Sequence, residues 1–465
     1  MSGFFGVTSK HECVRDVFFG TDYHSHLGTL RGGMAVSNHA GLVHSIHDIT
    51  NSPFRSKFDH ELAELEGRSA IGVISDFEDQ PLIIGSHLGN YAIATVGAVC
   101  NIDELRREAM DRGTHFSEMS GQHINPTEII AMLINRGATF AEGLRHAQER
   151  VEGSASILLL TRDALYAARD RLGRTPVILG ARKDTMAVTL ETCAFPNLGF
   201  ETVRDLGPGE VVRCTPEGAE TLMPPGDREQ ICTFLWVYYG YPASSYAGIN
   251  VEQTRYRCGR ALARRDDADI DSVCGIPDSG TGHAVGYSNQ SGTPYSRPFV
   301  KYTPTWPRSF MPQDQQVRDL VARMKLIPIR SLIENRRLLF CEDSIVRGTQ
   351  LQDTLARLYS DYGARELHMR AACPPLLFGC PYLNFSRSKP ELDLATRKAM
   401  IELEGREDGD PSAYVDPDGE AHRAMIDTIR RRLNLTSLRY QRLEDLVEAV
   451  GLPRERLCTY CWTGD

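Results

Sequence analysis

Two patterns of apolar and polar positions divide the chain. In the first half, helical spacing predicts one helix over 102–112 and another over 126–135, continuing near 139–151. Apolar runs then follow at 154–161, 164–169, 176–180 and 186–190, separated by Gly, Arg or Asp, and they suit consecutive antiparallel strands. Residues 203–230 are rich in turn signals (Gly207-Pro-Gly209, Pro224-Pro-Gly226) and predict a boundary, giving domains 1–228 and 229–465. The second half alternates differently. A strand over 272–276 leads through Pro277-Asp-Ser-Gly280 into a helix reaching about Gln290. A strand over 336–341 leads through a polar loop into a helix over 351–359, and a further strand covers 366–372. Such βαβ alternation predicts a parallel sheet, with ligands at the C-terminal ends of its strands. The polar stretch 404–420 reads as a surface insertion. A last amphipathic helix over 441–450 carries Leu443, Leu446, Val447 and Val450 on one face.

Length and composition narrow the class. With 465 residues, 41% apolar and 24% charged, the chain reads as a globular protein of two or three domains. It has no run approaching the roughly 20 apolar residues of a membrane helix, and no basic segment followed by an apolar one at its start. A cytoplasmic enzyme without membrane partners is the expectation. The net charge of −9 argues against a general nucleic-acid binder. Of the twelve cysteines, Cys100, Cys193, Cys274 and Cys341 stand in apolar runs and are expected as buried thiols. Cys458-Thr-Tyr-Cys461 is a close pair, which without a secretory signal points to metal rather than to a disulfide.

The richest chemistry lies at 337–350. An apolar run ends in two carboxylates, Glu342 and Asp343, and Ser344, Ile345, Val346, Arg347, Gly348 and Thr349 lead into a helix. Unpaired backbone N–H groups at such a helix start suit a phosphate. The carboxylates suit ribose hydroxyls, directly or through Mg²⁺. This arrangement resembles the phosphoribosylpyrophosphate (PRPP) loop of type I phosphoribosyltransferases. Pro277, Asp278, Ser279 and Gly280 form a second such turn, fit to hold pyrophosphate. Between the two, Lys301-Tyr-Thr-Pro-Thr-Trp-Pro-Arg-Ser-Phe-Met-Pro312 reads as a lid that excludes water from the reacting centre. Lys301, Arg308 and Lys325 are candidate cations for the pyrophosphate.

With these motifs in hand, the chain resembles the glutamine PRPP amidotransferase family over nearly its whole length. Glu342-Asp-Ser-Ile-Val-Arg-Gly-Thr349 matches the family loop, although the first acidic residue there is usually Asp. Glu191-Thr-Cys-Ala-Phe195, Arg323-Met-Lys-Leu326 and the Pro-Arg-Ser-Phe of the lid fit as well. The resemblance implies an α/β and α+β architecture: an N-terminal Ntn-hydrolase-type (class II) glutaminase αββα sandwich and a C-terminal type I phosphoribosyltransferase domain. It implies a homo-oligomer. It also implies a [4Fe–4S] cluster on Cys232, Cys380, Cys458 and Cys461, for which the close pair alone leaves zinc open.

The same resemblance exposes departures. The family's N-terminal Cys nucleophile falls on Ser2, in Ser2-Gly-Phe-Phe-Gly-Val7, whose hydroxyl is far harder to deprotonate. The family's arginine clamp for the glutamine carboxylate falls on Ser75. Its Asn-Gly-Asn oxyanion motif falls on Val96, Gly97 and Ala98, and its amine-gripping aspartate on Pro126. Losing one oxyanion donor alone typically lowers the rate by roughly 100–1000-fold. In the second half, Gly280 stands for a usual serine and Asn384 for an aspartate, and Lys301-Tyr-Thr-Pro differs from the usual lid. The expectation is therefore transfer of phosphoribosyl from PRPP to ammonia or another amine, with an inactive glutaminase half. The alternatives are a PRPP- or nucleotide-binding regulatory subunit, and glutamine-dependent synthesis through Ser2.

Overall fold

The computed structural model describes residues 2–117, 119–120, 123–302, 326–383 and 391–465. In the first half, two antiparallel sheets face each other. The seven-stranded one runs Glu201–Asp205, Ile178–Arg182, Thr185–Thr189, Gly3–Ser9, Ser69–Ser75, Arg31–Asn38, Gly41–Asp48. The six-stranded one runs Gly218–Met223, Val211–Thr215, Leu165–Ala168, Gly153–Leu160, Gly89–Val99, Leu82–Ser86. Strand alternation sorts the side chains into layers. Phe4, Val73, Ala94 and Leu158 fill the space between the sheets. Phe5 and Ile74 turn the other way, toward Val14 and Val17 of helix Val14–Asp22. Tyr91 and Ile93 turn outward beneath helices Ile102–Asp111, Pro126–Ile134 and Phe140–Arg150. The result is the αββα sandwich expected from the resemblance.

Four details differ from the sequence reading. The runs at 154–190 do not form one meander. Gly153–Leu160 and Leu165–Ala168 pair in the six-stranded sheet, while Ile178–Arg182 and Thr185–Thr189 pair in the seven-stranded one. The chain crosses between layers on a turn fixed by Asp170, whose carboxylate accepts from the N–H groups of Leu172, Arg174 and Thr175. The turn-rich stretch after 200 itself holds three strands, Glu201–Asp205 and Gly218–Met223 at sheet edges and Val211–Thr215 inside one, joined by tight turns. Cys100 is exposed, just past the end of strand Gly89–Val99. The stretch 404–420 is not wholly superficial. Tyr414 is buried there, its hydroxyl donating to Glu404 at 2.8 Å and its carbonyl facing His422 Nδ1 at 2.7 Å.

The second half is built on a parallel sheet in the order Tyr295–Ser296, Ser272–Gly275, Arg337–Glu342, Glu366–Ala371, Ser437–Tyr440. Its three central strands are buried on both faces, as the continuous apolar runs demand. Val273 and Leu339 pack toward helices Val251–Arg264 and Gly280–Ser291. Cys274, Leu338 and Phe340 pack toward Thr349–Ser360, Ala395–Glu404 and Glu420–Arg432. Behind the sheet lies a buried ion pair in which the Arg370 guanidinium grips Asp266, whose carboxylate also accepts from Tyr287 at 2.8 Å. Arg337–Glu342 is the middle strand, so its C-terminal end opens where neighbouring loops converge.

Candidate active site

Glu342 ends that middle strand, and Asp343 follows it, buried. Ser344 donates to Asp343 Oδ1 at 2.6 Å, and the Asp343 N–H to Glu342 Oε1 at 3.3 Å. Ser279, from the other predicted turn, donates to Glu342 Oε1 at 3.4 Å, so the two turns meet. Ile345 anchors the loop in the core, and the Val346 carbonyl accepts from the Ala395 N–H at 2.8 Å. Gly348 caps helix Thr349–Ser360 with φ of 74°, a left-handed conformation that suits glycine. Arg347, Gly348 and Thr349 are at least partly open to solvent. Burial, and then the adjacent Asp343 charge, push the Glu342 carboxyl well above the usual range. Among the described residues, neither carboxylate pairs with a Lys or Arg. Two adjacent acids without a direct ion-pair partner among the described residues form a donor set that fits Mg²⁺.

The second turn, Pro277 to Gly280, opens helix Gly280–Ser291. A Cβ at Gly280 would lie 2.2 Å from the Cys341 carbonyl oxygen, so the helix reaches the middle strand only because this residue has no side chain. Lys301 pairs with Asp278. It ends strand Phe299–Lys301, which pairs with Leu326–Pro328, and it begins the predicted lid, of which residues 303–312 lie outside the described residues. Arg308, Lys325 and Asn384 lie outside the described residues.

The serine site of the first half has a different character. Ser2 and Ser75 are buried, and Ser2 Oγ lies 3.4 Å from Ser75 Oγ. Ser75 donates in turn to Glu78 Oε2 at 3.1 Å and accepts from the N–H groups of Phe77 and Glu78. Val96, Gly97 and Ala98 sit in the ladder with Ser156, Ala155 and Ser154. Gly97 has φ of 132°, and its missing Cβ would stand 1.9 Å from the Ser154 carbonyl oxygen. Pro126 is the first residue of helix Pro126–Ile134, where its fixed φ and absent N–H are harmless, and Asn125 caps that helix. Behind them, Thr95 and Thr127 share a hydrogen bond at 2.7 Å. Glu78 was not singled out in the sequence, since nothing in Ser75-Asp-Phe-Glu78 marks one acid over the other.

Cys232, Cys380, Cys458 and Cys461 line one cavity with Arg174 and Tyr382. Cys232 and Cys458 are neighbours in a short parallel ladder between Ile231–Cys232 and Leu457–Cys458. A hydrogen bond with Cys461 is the main force holding the Cys380 thiol down, to about 7. Among the described residues, no group of three or more His, Cys, Asp or Glu is drawn together as a metal site. Four sulfur donors on one cavity nevertheless fit a cluster or a zinc ion by donor type and number.

Glu191, part of the sequence signature, is buried between the two halves. Tyr246 donates to its Oε1 at 2.6 Å, and His26 Nε2 lies 3.1 Å from its Oε2. Burial alone would raise this carboxyl, but His26, His24 and Tyr246 together hold it at about 2.

Comparisons with known proteins agree with this geometry. A model described as a glutamine amidotransferase domain matches residues 66–196. The chain is similar to the amidophosphoribosyltransferase of Methanothermobacter thermautotrophicus, 32% identical over 418 residues, covering 87% of this chain and 81% of the relative. That of Methanocaldococcus jannaschii is 29% identical, covering 100% and 97%. Among solved structures, the glutamine PRPP amidotransferase from B. subtilis superposes with a TM-score of 0.85 at 26% identity, covering 100% of this chain and 96% of that one. No helix among the described residues is long and apolar enough to cross a membrane. An αββα sandwich joined to a parallel-sheet domain, with likeness along the full length, makes the chain a member of the amidophosphoribosyltransferase family.

Proposed function

We propose that this enzyme transfers the 5-phosphoribosyl group of PRPP to ammonia or another amine, releasing pyrophosphate, and that its first half no longer hydrolyses glutamine. The contrast in polar pairing carries the reading. Glu342 and Asp343 meet at the mouth of the parallel sheet with no cationic partner among the described residues, whereas Ser2, Ser75 and Glu78 bond to one another. In the serine site a carboxylate stands 3.1 Å from the residue that replaces the family's arginine clamp. A glutamine α-carboxylate bound there would meet like charge, at roughly 4 kcal/mol for a 4 Å separation near a protein surface.

In the transferase half, backbone N–H groups at the start of helix Thr349–Ser360 take the 5-phosphate, and Glu342 and Asp343 take the ribose hydroxyls. Pro277 to Gly280 and Lys301 take the pyrophosphate. The C1–N bond forms as the C1–O bond to pyrophosphate breaks, and the nitrogen gives up a proton. Arg308 and Lys325 complete the cation set on this reading. Mg²⁺, held by Glu342 and Asp343, supplies charge neutralisation for the departing group. Cys232, Cys380, Cys458 and Cys461 hold a structural [4Fe–4S] cluster. Purine biosynthesis, named for one solved relative, and a specialised pathway both accommodate this chemistry. A cytoplasmic homo-oligomer with residues 1–228 and 229–465 as its domains completes the proposal.

The test is pyrophosphate release from PRPP and Mg²⁺ with ammonia, glutamine and a panel of amines. Turnover with ammonia or an amine, and none with glutamine, is expected. Ammonia release from glutamine would overturn the inactive-glutaminase reading. PRPP binding without any turnover would favour a regulatory subunit, a second reading motivated by Gly280, where the usual serine has no room.

A further inference from the structure

Arg174 sits on the turn where the first half crosses between its sheets, next to the cysteine cavity. Its backbone is fixed on both sides: its N–H donates to Asp170 Oδ1 at 3.1 Å, and its carbonyl accepts from the Cys232 N–H at 3.1 Å. The residue is only 6% exposed. Its guanidinium stacks 3.5 Å above the Tyr382 ring centroid, and its Nη atoms reach the Gly153 carbonyl and Gln230 Oε1, both at 3.3 Å. Its Nε–H is buried and has no acceptor among the described residues, while the side chain already hydrogen-bonds Cys458. Among the described residues lining the cavity that holds the four cysteine sulfurs, Arg174 is the one Lys or Arg.

A buried guanidinium is stable only when paired, and an unmatched N–H in such a place needs an acceptor. Four thiolates around a [4Fe–4S]²⁺ core, or around Zn²⁺, leave two net negative charges, which are equally unfavourable alone in a buried site. Each group supplies what the other lacks. We propose that Arg174 is a positioning residue of the cysteine site: its charge offsets that of the metal–thiolate group, its Nε–H serves a sulfur, and its turn ties metal retention to the first half of the chain. This rests on the reading that the four cysteines hold a metal group.

The experiment compares the full-length chain with R174M and R174K, purified without oxygen. Metal and sulfide content, the rate of metal release to a chelator and, for an iron–sulfur cluster, the midpoint potential are measured. Changing a residue that supports metal ligands typically weakens retention by roughly 10–100-fold. R174M should therefore release metal at least about tenfold faster, and its cluster should be harder to reduce. R174K, which keeps the charge, should recover most of the retention. The metal-free forms of R174M and the unsubstituted chain should unfold at the same temperature. If R174M retains metal as the unsubstituted chain does, or if R174K is as labile as R174M, the role of Arg174 is overturned while the metal reading stands. If the unsubstituted chain takes up neither iron nor zinc on reconstitution, both fall. Should R174M not accumulate, R174K against the unsubstituted chain decides, with rapid release from R174K counting against the proposal.

Discussion

The serine site of the first half and the carboxylate site of the second occupy corresponding positions in their domains, at strand ends where loops converge, yet they treat polar groups in opposite ways. In the serine site, donors and acceptors answer one another. Ser2 meets Ser75, Ser75 meets Glu78, and Gln80 both donates to the Thr95 carbonyl and accepts from its N–H. In the carboxylate site, the two adjacent acids accept, among the described residues, only from Ser279, Ser344 and the backbone, with the Arg255 charge acting on Asp343 without a hydrogen bond. A polar group that selection no longer holds for a ligand is most stable when paired internally, since an unmatched buried group destabilises by about 1–3 kcal/mol. A group kept for a ligand must forgo that pairing. On the proposed reading, internal satisfaction marks the site that has become structure, and its absence marks the one still in use.

The sharpest way to break this comparison is to remove one polar group from each site. Asp343→Asn should lower pyrophosphate release from PRPP by about 1000-fold, in the range lost with a key electrostatic group. Ser2→Ala should leave that rate within about twofold, because the Ser2 hydroxyl bonds, among the described residues, to Ser75 of its own cluster. Steady-state rates with saturating ammonia measure both. A large loss from Ser2→Ala would mean that the first half still takes part in the chemistry.

The next effect concerns what holds the second site in place. Arg370 and Asp266 are each about 1% exposed as side chains. Breaking a buried pair is strongly destabilising, and Arg370→Met should cost about 3 kcal/mol, the low end of the usual range. Asp266 would still accept from Tyr287 and from the Ala268 N–H. The pH dependence has a definite sign. The Asp266 carboxyl is buried, which raises it, but Arg370 outweighs this and holds it at about 2, below its ordinary 3.8. Its contribution is present above pH 4 and is lost as pH falls toward 2. Denaturant unfolding of both proteins between pH 7 and pH 3 should show the gap narrowing at the acid end.

Sequence reasoning reached these two sites unequally. Glu342 to Thr349 was legible because strand, acids, loop and helix are contiguous, and local order is what periodicity reports. The serine site was legible only through the family resemblance, since Ser2, Ser75, Val96 and Pro126 are distant in sequence and carry no common period. Glu78 and Arg174 were missed for the same reason: each acquires meaning from a partner elsewhere in the chain, Ser75 in one case and the Cys232 segment in the other. The layer change between Leu165–Ala168 and Ile178–Arg182 was also invisible, because an apolar strand reads alike in either sheet. Cys100 misled by following an apolar strand just past its last buried position.

A smaller effect tests how far the second site has drifted. Gly280→Ser restores the residue usual in the family, yet its Cβ would stand 2.2 Å from the Cys341 carbonyl oxygen. Backbone must move for it to fit, so the variant should lose roughly 1–3 kcal/mol, as overpacked cores do. Activity with ammonia should fall rather than rise. A gain in both stability and activity would show that the helix start at Gly280 had shifted without consequence.

The smallest expected effect bears most directly on the serine site. Glu78→Gln keeps the size of the side chain and an acceptor for Ser75, but removes the charge. If this cluster is structure, the change exchanges a hydrogen bond to a charged group for a neutral one. Stability should then drop by about 1 kcal/mol, with no change in transfer to ammonia. If Glu78 instead serves Ser2 through Ser75 as a base, the same variant should leave stability nearly intact and abolish any release of ammonia from glutamine. The two quantities move in opposite senses under the two accounts, so thermal unfolding and a glutaminase assay on one variant separate them. The internal distances favour the first account. Ser75 accepts N–H groups from Phe77 and Glu78 while donating to Glu78 at 3.1 Å, which engages it fully before Ser2, at 3.4 Å, is counted.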